Sequence, residues 1–503
     1  MKKHYLIGGI LILSLFAGIT DANAQNKLGG KLGNMIKNAK ETVNGNTQNT
    51  SSSSSVSSQS SNNGSSASSV LKSKGATKAN NGPVYYVKPD GSNRADGLSP
   101  ETAKKDIQKV LNIIRDAKQD GAVVNVAGGD YLGELDAGYI EIYNCISLLG
   151  GWNDSFTERD PQKWVTRIQP GTEQLGTNGA KALITISNLD DLYNKKEHPL
   201  IIDGFCLDMG FQNDYKPANP DDPECACPVG CETGRMKDEQ VTHQAMKSGA
   251  INADVTICNC LFLNSPNFGI MMCHRGGNWE IYNNVFVSNR YSSVRIDGWD
   301  KNGENSYINF HHNTVAFSWC RTKTMEDMGY GYEFMSRVNA DVHHNIFLCN
   351  NYAAIARTHA DSDKSVEAKR VTSAYNNIFF MNAADLQLPA VGGGKWLNVA
   401  CKNFEDVDEK ILKNVDGNFE LKKEDPFLDV IDQAYLNGFV NLKCISSSSY
   451  DANSAANLYR QAHGMNTVGT EIVRVSMYGN RYNFDKALKF FGAKEGYGAQ
   501  SFK

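Results

Sequence analysis

Between residues 255 and 382 short apolar strands recur in pairs, each pair hinged on an Asn. The copies read VTICNCLFLN (255–264), WEIYNNVFVSN (279–289), YINFHHNTVAFS (307–318), ADVHHNIFLCN (340–350) and VTSAYNNIFFMN (371–382). Measured between the second-strand anchors Phe262, Phe286, Val315, Phe347 and Phe379, the intervals are 24, 29, 32 and 32 residues. LIIDGFCLDMG (200–210) is an earlier copy that precedes a long insertion. Repeats of this length, carrying strands but little helix, predict a β-solenoid whose coils each pack only on their neighbours. A third strand follows each anchor: GIMMCHR (269–275), SVRIDGW (293–299), GYEFMSR (331–337), AIARTHA (354–360) and DLQLP (385–389). Alternation places Ile270, Val294 and Ile355 inside and turns Arg295 and Asp297 outward.

The hinge residues Asn259, Asn284, Asn313, Asn345 and Asn377 are expected at strand-to-strand bends. Asn tolerates left-handed backbone, and its amide can bond the Asn of the next coil, so the row reads as a structural ladder rather than a sugar-binding one. The doublets His311-His312 and His343-His344 suggest metal ligation at first sight. Strand neighbours point to opposite faces, which makes a doublet a poor chelate, and stacking from rung to rung is the expectation. Cys206, Cys258, Cys260 and Cys349 sit within strands and read as small apolar residues of the coil interior.

Upstream, VYYVKPDGSNRADGLSPETAKKDIQKVLNII (84–114) predicts a strand, a polar turn and an amphipathic helix. Ser99 is the expected N-cap, and Ile107, Val110, Leu111 and Ile114 form the apolar stripe. Before this body, residues 1–24 read as a secretory signal: Lys2 and Lys3, an apolar run from Leu6 to Ile19, and Ala22-Asn23-Ala24 before Gln25. Residues 25–82, with the tract SSSSSVSSQSSNNGSSASS (51–69), have almost nothing to bury and read as a disordered tether. The solenoid is expected over 83–430, with an insertion at 211–249. Residues 431–503 would pack on it or cap it, through a short helix at Ala487, Leu488, Phe490 and Phe491.

Charge narrows the partners. The 503-residue chain carries 51 basic and 55 acidic residues with no basic run in its body, which argues against nucleic acid. No segment after the signal is long and apolar enough to suggest a membrane span. Export makes disulfides permissible for the 12 Cys. In the insertion Cys225, Cys227 and Cys231 read as a disulfide-bonded loop or, alternatively, a metal knot completed by His243. Such a loop is a natural place for recognition.

YYVKPDGSNRADGLSPETAKKDIQKVL (85–111) resembles the opening of the pectate-lyase-like right-handed parallel β-helix proteins. LLGGWNDSFTERDPQKWVTRIQPG (148–171) and GNFELKKEDPFLDV (417–430) are similar to later passages of the same secreted proteins. The resemblance implies an all-β fold: a right-handed parallel β-helix, a single-stranded solenoid, with an N-terminal capping helix. An uncovered coil end is a row of unpaired backbone groups, so a cap is physically reasonable. The same fold carries lyases, hydrolases and adhesins, so function must come from the site.

In the resembling enzymes the third strand lines the substrate groove. A lyase acting on an acidic sugar needs a base and a cation or Arg to neutralise the carboxylate. The catalytic candidates are Arg295, Asp297, His274, Glu333 and Arg357, with Arg295 or His274 as base and Arg357 holding the substrate. Arg295 and Asp297 are expected to face solvent together, His274 on the preceding rung and Glu333 on the following one. His274 and His359 both fall twelve residues past their anchors and would share a column. Trp299, Tyr330 and His359 would instead furnish a binding face. No cofactor is expected beyond calcium, for which no cluster of three or four outward Asp/Glu stands out. The reading is an exported protein of the periplasm, cell surface or medium that binds polysaccharide or another envelope component. The alternative is a polysaccharide lyase with its groove around Arg295.

Overall fold

The computed structural model describes residues 79–131, 139–170, 182–189, 194–210, 244–298, 304–318, 329–350, 352–382, 384–388, 397–422, 424–440 and 481–503. The chain winds through three long sheets, the arrangement of a β-solenoid. The first sheet has ten strands, from Val84–Val87 to Leu412–Lys413. The second has nine, from Ile140–Ile142 to Leu397–Val399, and the third nine, from Gly129–Tyr131 to Phe419–Glu420. One coil runs through Val255–Cys258, Leu261–Leu263 and Phe268–Gly276 before returning to the first sheet at Asn278–Tyr282. Neighbouring strands pair in parallel, except that Leu397–Val399 closes the second sheet antiparallel to Leu386–Leu388.

Equivalent residues stack from coil to coil because parallel pairing keeps them about 4.8 Å apart. Phe262, Phe286, Val315, Phe347 and Phe379 are successive partners in one buried column. Phe262 stacks on Phe286 at 4.7 Å and Phe347 on Phe379 at 5.6 Å. Ile270, Val294, Tyr332, Ile355 and Leu386 form the matching column of the second sheet. The anchors, and Ile270, Val294 and Ile355 among the inward positions, are those expected from the sequence.

The Asn ladder exists, with two corrections. Its members are Asn284, Asn313, Asn345, Asn377 and Asn418, and Cys260 rather than Asn259 occupies the first position. The left-handed residue is the one before each ladder position: Asn259, Asn283, His312, His344 and Asn376, with φ of 54°, 55°, 50°, 54° and 51°. The ladder Asn itself bonds upward and downward and is fully buried at Asn284, Asn313, Asn345 and Asn377. A second ladder, Asn350 to Asn382, runs along the next bend, where Asn289 likewise caps Ser265.

The helix spans Ile107–Asp116, and Ile107, Val110, Leu111 and Ile114 join the core. Its N-cap is Asp106, not Ser99. Ser99 instead closes a tight turn with Thr102, whose hydroxyl donates to Asp96. The folded body also begins earlier than expected: Asn80 donates to the Pro199 carbonyl at 2.9 Å and Gly82 N–H to Gly121 O at 2.8 Å.

Residues 481–503 lie along the outer face of the third sheet. Tyr482, Ala487, Phe490 and Ala499 pack there against Leu263, Val287 and their neighbours. The helical turn is Phe484–Leu488. Cys206 and Cys349 belong to this outer layer, and Cys258 shares a row with the outward Tyr282, so only Cys260 of the four lies in the coil interior. The signal segment 1–24, most of the tether, Trp299 and the loop with Cys225, Cys227, Cys231 and His243 lie outside the described residues. None of the described helices is long and apolar enough to cross a membrane.

Candidate functional site

The outer face of the second sheet is built by alternation. Val294 and Ile296 are buried in the core, so Arg295 and Asp297 on Ser292–Gly298 point away from it. Register places Lys247, Met271, Arg295, Glu333, Ala356 and Gln387 in one outward row. Arg295 Nε lies 3.6 Å from Asp297 Oδ1, with the two side chains 15% and 38% exposed. The guanidinium donates to Tyr291 Oη at 3.3 Å and sits 5.5 Å from the Phe268 ring centre and 5.9 Å from that of Tyr291. Burial works against its charge, but Glu333 and Asp297 outweigh it and hold Arg295 more firmly protonated than usual. Burial raises the pKa of Asp297, with Arg295 opposing.

Glu333 follows Arg295 as expected, yet it is only 1% exposed and accepts from Thr358 Oγ1 at 2.9 Å. The Arg295–Glu333 pair therefore belongs to the packed part of the face, and Arg295 is tied to stability. Tyr330 departs from the expected open platform. It is buried against Ala353, Ala356 and Ala384, with its hydroxyl on Gln387 Oε1 at 3.1 Å. His359 is exposed at a left-handed position, φ 53°, near enough for its charge to lower the pKa of Asp297.

Two expected members do not join. His274 is on the same side of its strand as Ile270 and Met272, because four residues of alternation return to the same face. Its ring stacks on Trp279 at 4.3 Å, Nε2 meets Tyr307 O at 3.1 Å, and burial pushes its pKa down to about 3. It shares no column with His359, which lies beyond the end of Ala353–Arg357. Arg357 pairs in register with the inward Phe334 and binds Glu367 Oε1 at 2.6 Å. Burial lowers its pKa, with Glu367 opposing. The partner was missed in the sequence, although Asp363 before Lys364–Glu367 is an N-cap signal that could have located this turn. Arg370, also missed, is buried beside it and donates to the carbonyls of His359, Phe334 and Thr358.

The His doublets stack as expected but not as strand neighbours. Left-handed backbone at His312 and His344 swings both rings of each doublet to one side. His311 Nδ1 lies 2.9 Å from His312 Nδ1, and His343 Nδ1 2.8 Å from His344 Nδ1. Tyr282, His311, His343 and Tyr375 stack at 5.0, 4.9 and 4.8 Å. Burial first, and then the neighbouring imidazoles, lowers His312 to about 3 and His343 to about 2.

These shifts set a pH response. A His whose folded pKa is depressed stays neutral while the unfolded chain takes up a proton below about 6.5. Stability is therefore complete above that pH and falls as pH drops toward 3, by about 1.4 kcal/mol per pH unit for each such His. Urea midpoints measured from pH 7 to 4.5 should decline steadily, and His343→Phe should flatten the slope. An unchanged slope in that variant would show that His343 is not held neutral by the fold.

The described cysteines are free thiols. Among the described residues, one group of three metal-type side chains converges, Asp385, Cys401 and Glu420, at the far end of the solenoid. Compared with known proteins, the chain matches no protein-family model, no curated protein and no solved structure.

Proposed function

We propose that this chain is an exported, non-catalytic β-helix protein of the cell envelope or surface that binds glycan along the outer face of its second sheet. The coil is right-handed in this reading, as parallel crossovers nearly always are, and Ile107–Asp116 covers its first end. Export is supported by the signal-like residues 1–24.

The observation that carries the binding role is the Arg295 cluster. The half-buried Tyr291 and the partly exposed Asp297 flank the Arg295 guanidinium on a long, regular face, with the buried Phe268 ring behind it. Aromatic rings favour the apolar faces of sugars, and planar charged groups suit their hydroxyls. Glu333 and Asp297 beside Arg295 favour a neutral glycan over an acidic one. The lyase reading has less support. Arg295 is held protonated, His274 lies in the coil interior, and Arg357 is engaged by Glu367.

The test is retardation of the purified full chain in gels containing neutral or acidic polysaccharides, with ultraviolet absorbance read for unsaturated product. Retardation without product is expected, and Asp297→Ala should weaken it roughly tenfold, about 1.4 kcal/mol, at an unchanged thermal midpoint. Appearance of unsaturated product would replace this reading with the lyase one. Migration unaffected by every glycan would remove glycan binding.

A further inference from the structure

The last coil closes unlike the others. After Leu386–Leu388 the chain returns antiparallel at Leu397–Val399 and turns through the 3-10 segment Cys401–Asp406, where Phe404 packs edge-on against Phe379 at 5.8 Å. Asp385, Cys401 and Glu420 meet at this closure, one ligand atom from each lying within 4.8 Å of the others. Asp385 immediately precedes Leu386–Leu388, the strand next to the second sheet's edge, and Glu420 comes from the last strand of the third. Glu420 pairs in register with Phe379 and so continues the inward column. Apolar side chains fill that column in the five preceding coils, from Phe262 to Phe379.

Three features make this more than a hydrogen-bonded end. Asp385 is buried, and its carboxylate is aimed by the Cys401 N–H at 2.9 Å and by Asn382 Nδ2 at 3.2 Å. Burial raises its pKa to about 7, with Glu420 adding to the shift. Among the described residues neither carboxylate forms an ion pair with Lys or Arg, so within that set two carboxyls and a thiol converge without a cationic side chain. Burying such groups together is costly unless they stay protonated or share a cation.

We propose that Asp385, Cys401 and Glu420 bind a divalent transition-metal ion of the zinc type. A thiolate beside two carboxylates suits such an ion better than calcium or magnesium, which prefer six or more oxygen ligands. In a tetrahedral site the ligand atoms stand about 3.6 Å apart, so small side-chain rotations from the observed spacing suffice. Three protein ligands leave a fourth position for water. A cleft of about 260 Å³ lined by Phe419, Glu420, Lys422 and Glu424 adjoins the Glu420 side of the group. Binding releases the thiol proton of Cys401, and the Asp385 proton when it is present, to solvent. The ion would tie the 397–406 segment to both sheet edges and clasp the end of the coil.

The experiment uses the full chain stripped with a chelator and titrated with Co²⁺, then with Zn²⁺. A thiolate-to-cobalt charge-transfer band and a Zn²⁺-dependent rise in thermal midpoint are expected. Cys401→Ser and Asp385→Asn should lose both, whereas joint replacement of Cys225, Cys227 and Cys231 by Ser should keep both. Glu420→Gln, at a half-buried position, should fold and bind roughly tenfold more weakly, which keeps the test decisive if the other variants misfold. Absence of the band overturns the proposal. So does a band that survives Cys401→Ser, or wild-type affinity in Glu420→Gln.

Discussion

Asn345→Ala is expected to cost about 4 kcal/mol, a large share of what holds a domain folded. Asn345 Oδ1 accepts from the Asn313 N–H at 2.9 Å and from Asn313 Nδ2 at 3.2 Å. Its Nδ2 donates to the Phe310 carbonyl and to Asn377 Oδ1, both at 3.0 Å. Ala removes all four bonds and strands the Asn313 amide and Phe310 carbonyl in a bend that water does not reach. Each stranded group costs about 1–3 kcal/mol. Because solenoid coils are stabilised by nearest neighbours, hydrogen exchange should accelerate most around residues 310–315 and 345–350. A urea midpoint close to that of the parent chain would show that the bends are held by something other than the ladder.

Arg295→Ala should be nearly as damaging, by about 3–5 kcal/mol, because it leaves Glu333 charged and buried without its principal counter-ion. Such a loss departs from the sequence-based expectation that Arg295 faces solvent, where truncation would cost little. That expectation treated Arg295 as a free surface side chain, and it is 15% exposed between Phe268, Tyr291 and two carboxylates. Replacing the pair together, Arg295→Met with Glu333→Gln, should recover most of the loss, since an uncharged pair needs no compensation. Equal thermal midpoints for Arg295→Ala and the parent would mean that Glu333 is neutralised in another way. The comparison also separates stability from binding, which Asp297→Ala addresses at the exposed end of the cluster.

Much of the architecture was legible because a solenoid repeats its constraints. The spacing of Phe262, Phe286, Phe347 and Phe379 gave the anchor column, and alternation gave the inward Ile270, Val294 and Ile355. The ladder was placed one residue early at Asn259, because two consecutive residues form each bend and the Asn-Cys pair there does not reveal which is left-handed. The candidate site was less legible. Arg295, Asp297 and Glu333 followed from face and register, whereas His274 was misplaced by counting from an anchor instead of alternating along its own strand. Arg357 was misassigned because its partner Glu367 lies in a short turn outside the repeat. Tyr330 is buried by packing with Ala353, Ala356 and Ala384, which no local pattern announces.

The strap of residues 481–503 sets the order in which the molecule can be finished. Coils that pair only with the adjacent coil, 24 to 32 residues away, can form one after another as the chain emerges, each templating the next. The outer face of the third sheet cannot be finished that way: Asn264 waits for Tyr482 and Asn283 for Gln500, partners 218 and 217 positions later. Closing such distant contacts is slow compared with local winding. Until they close, Leu263, Val287, Leu348 and their neighbours form a continuous greasy stripe beside already paired strands. The repeat thus gives a fast-winding scaffold, and one late segment determines how long that scaffold remains prone to self-association.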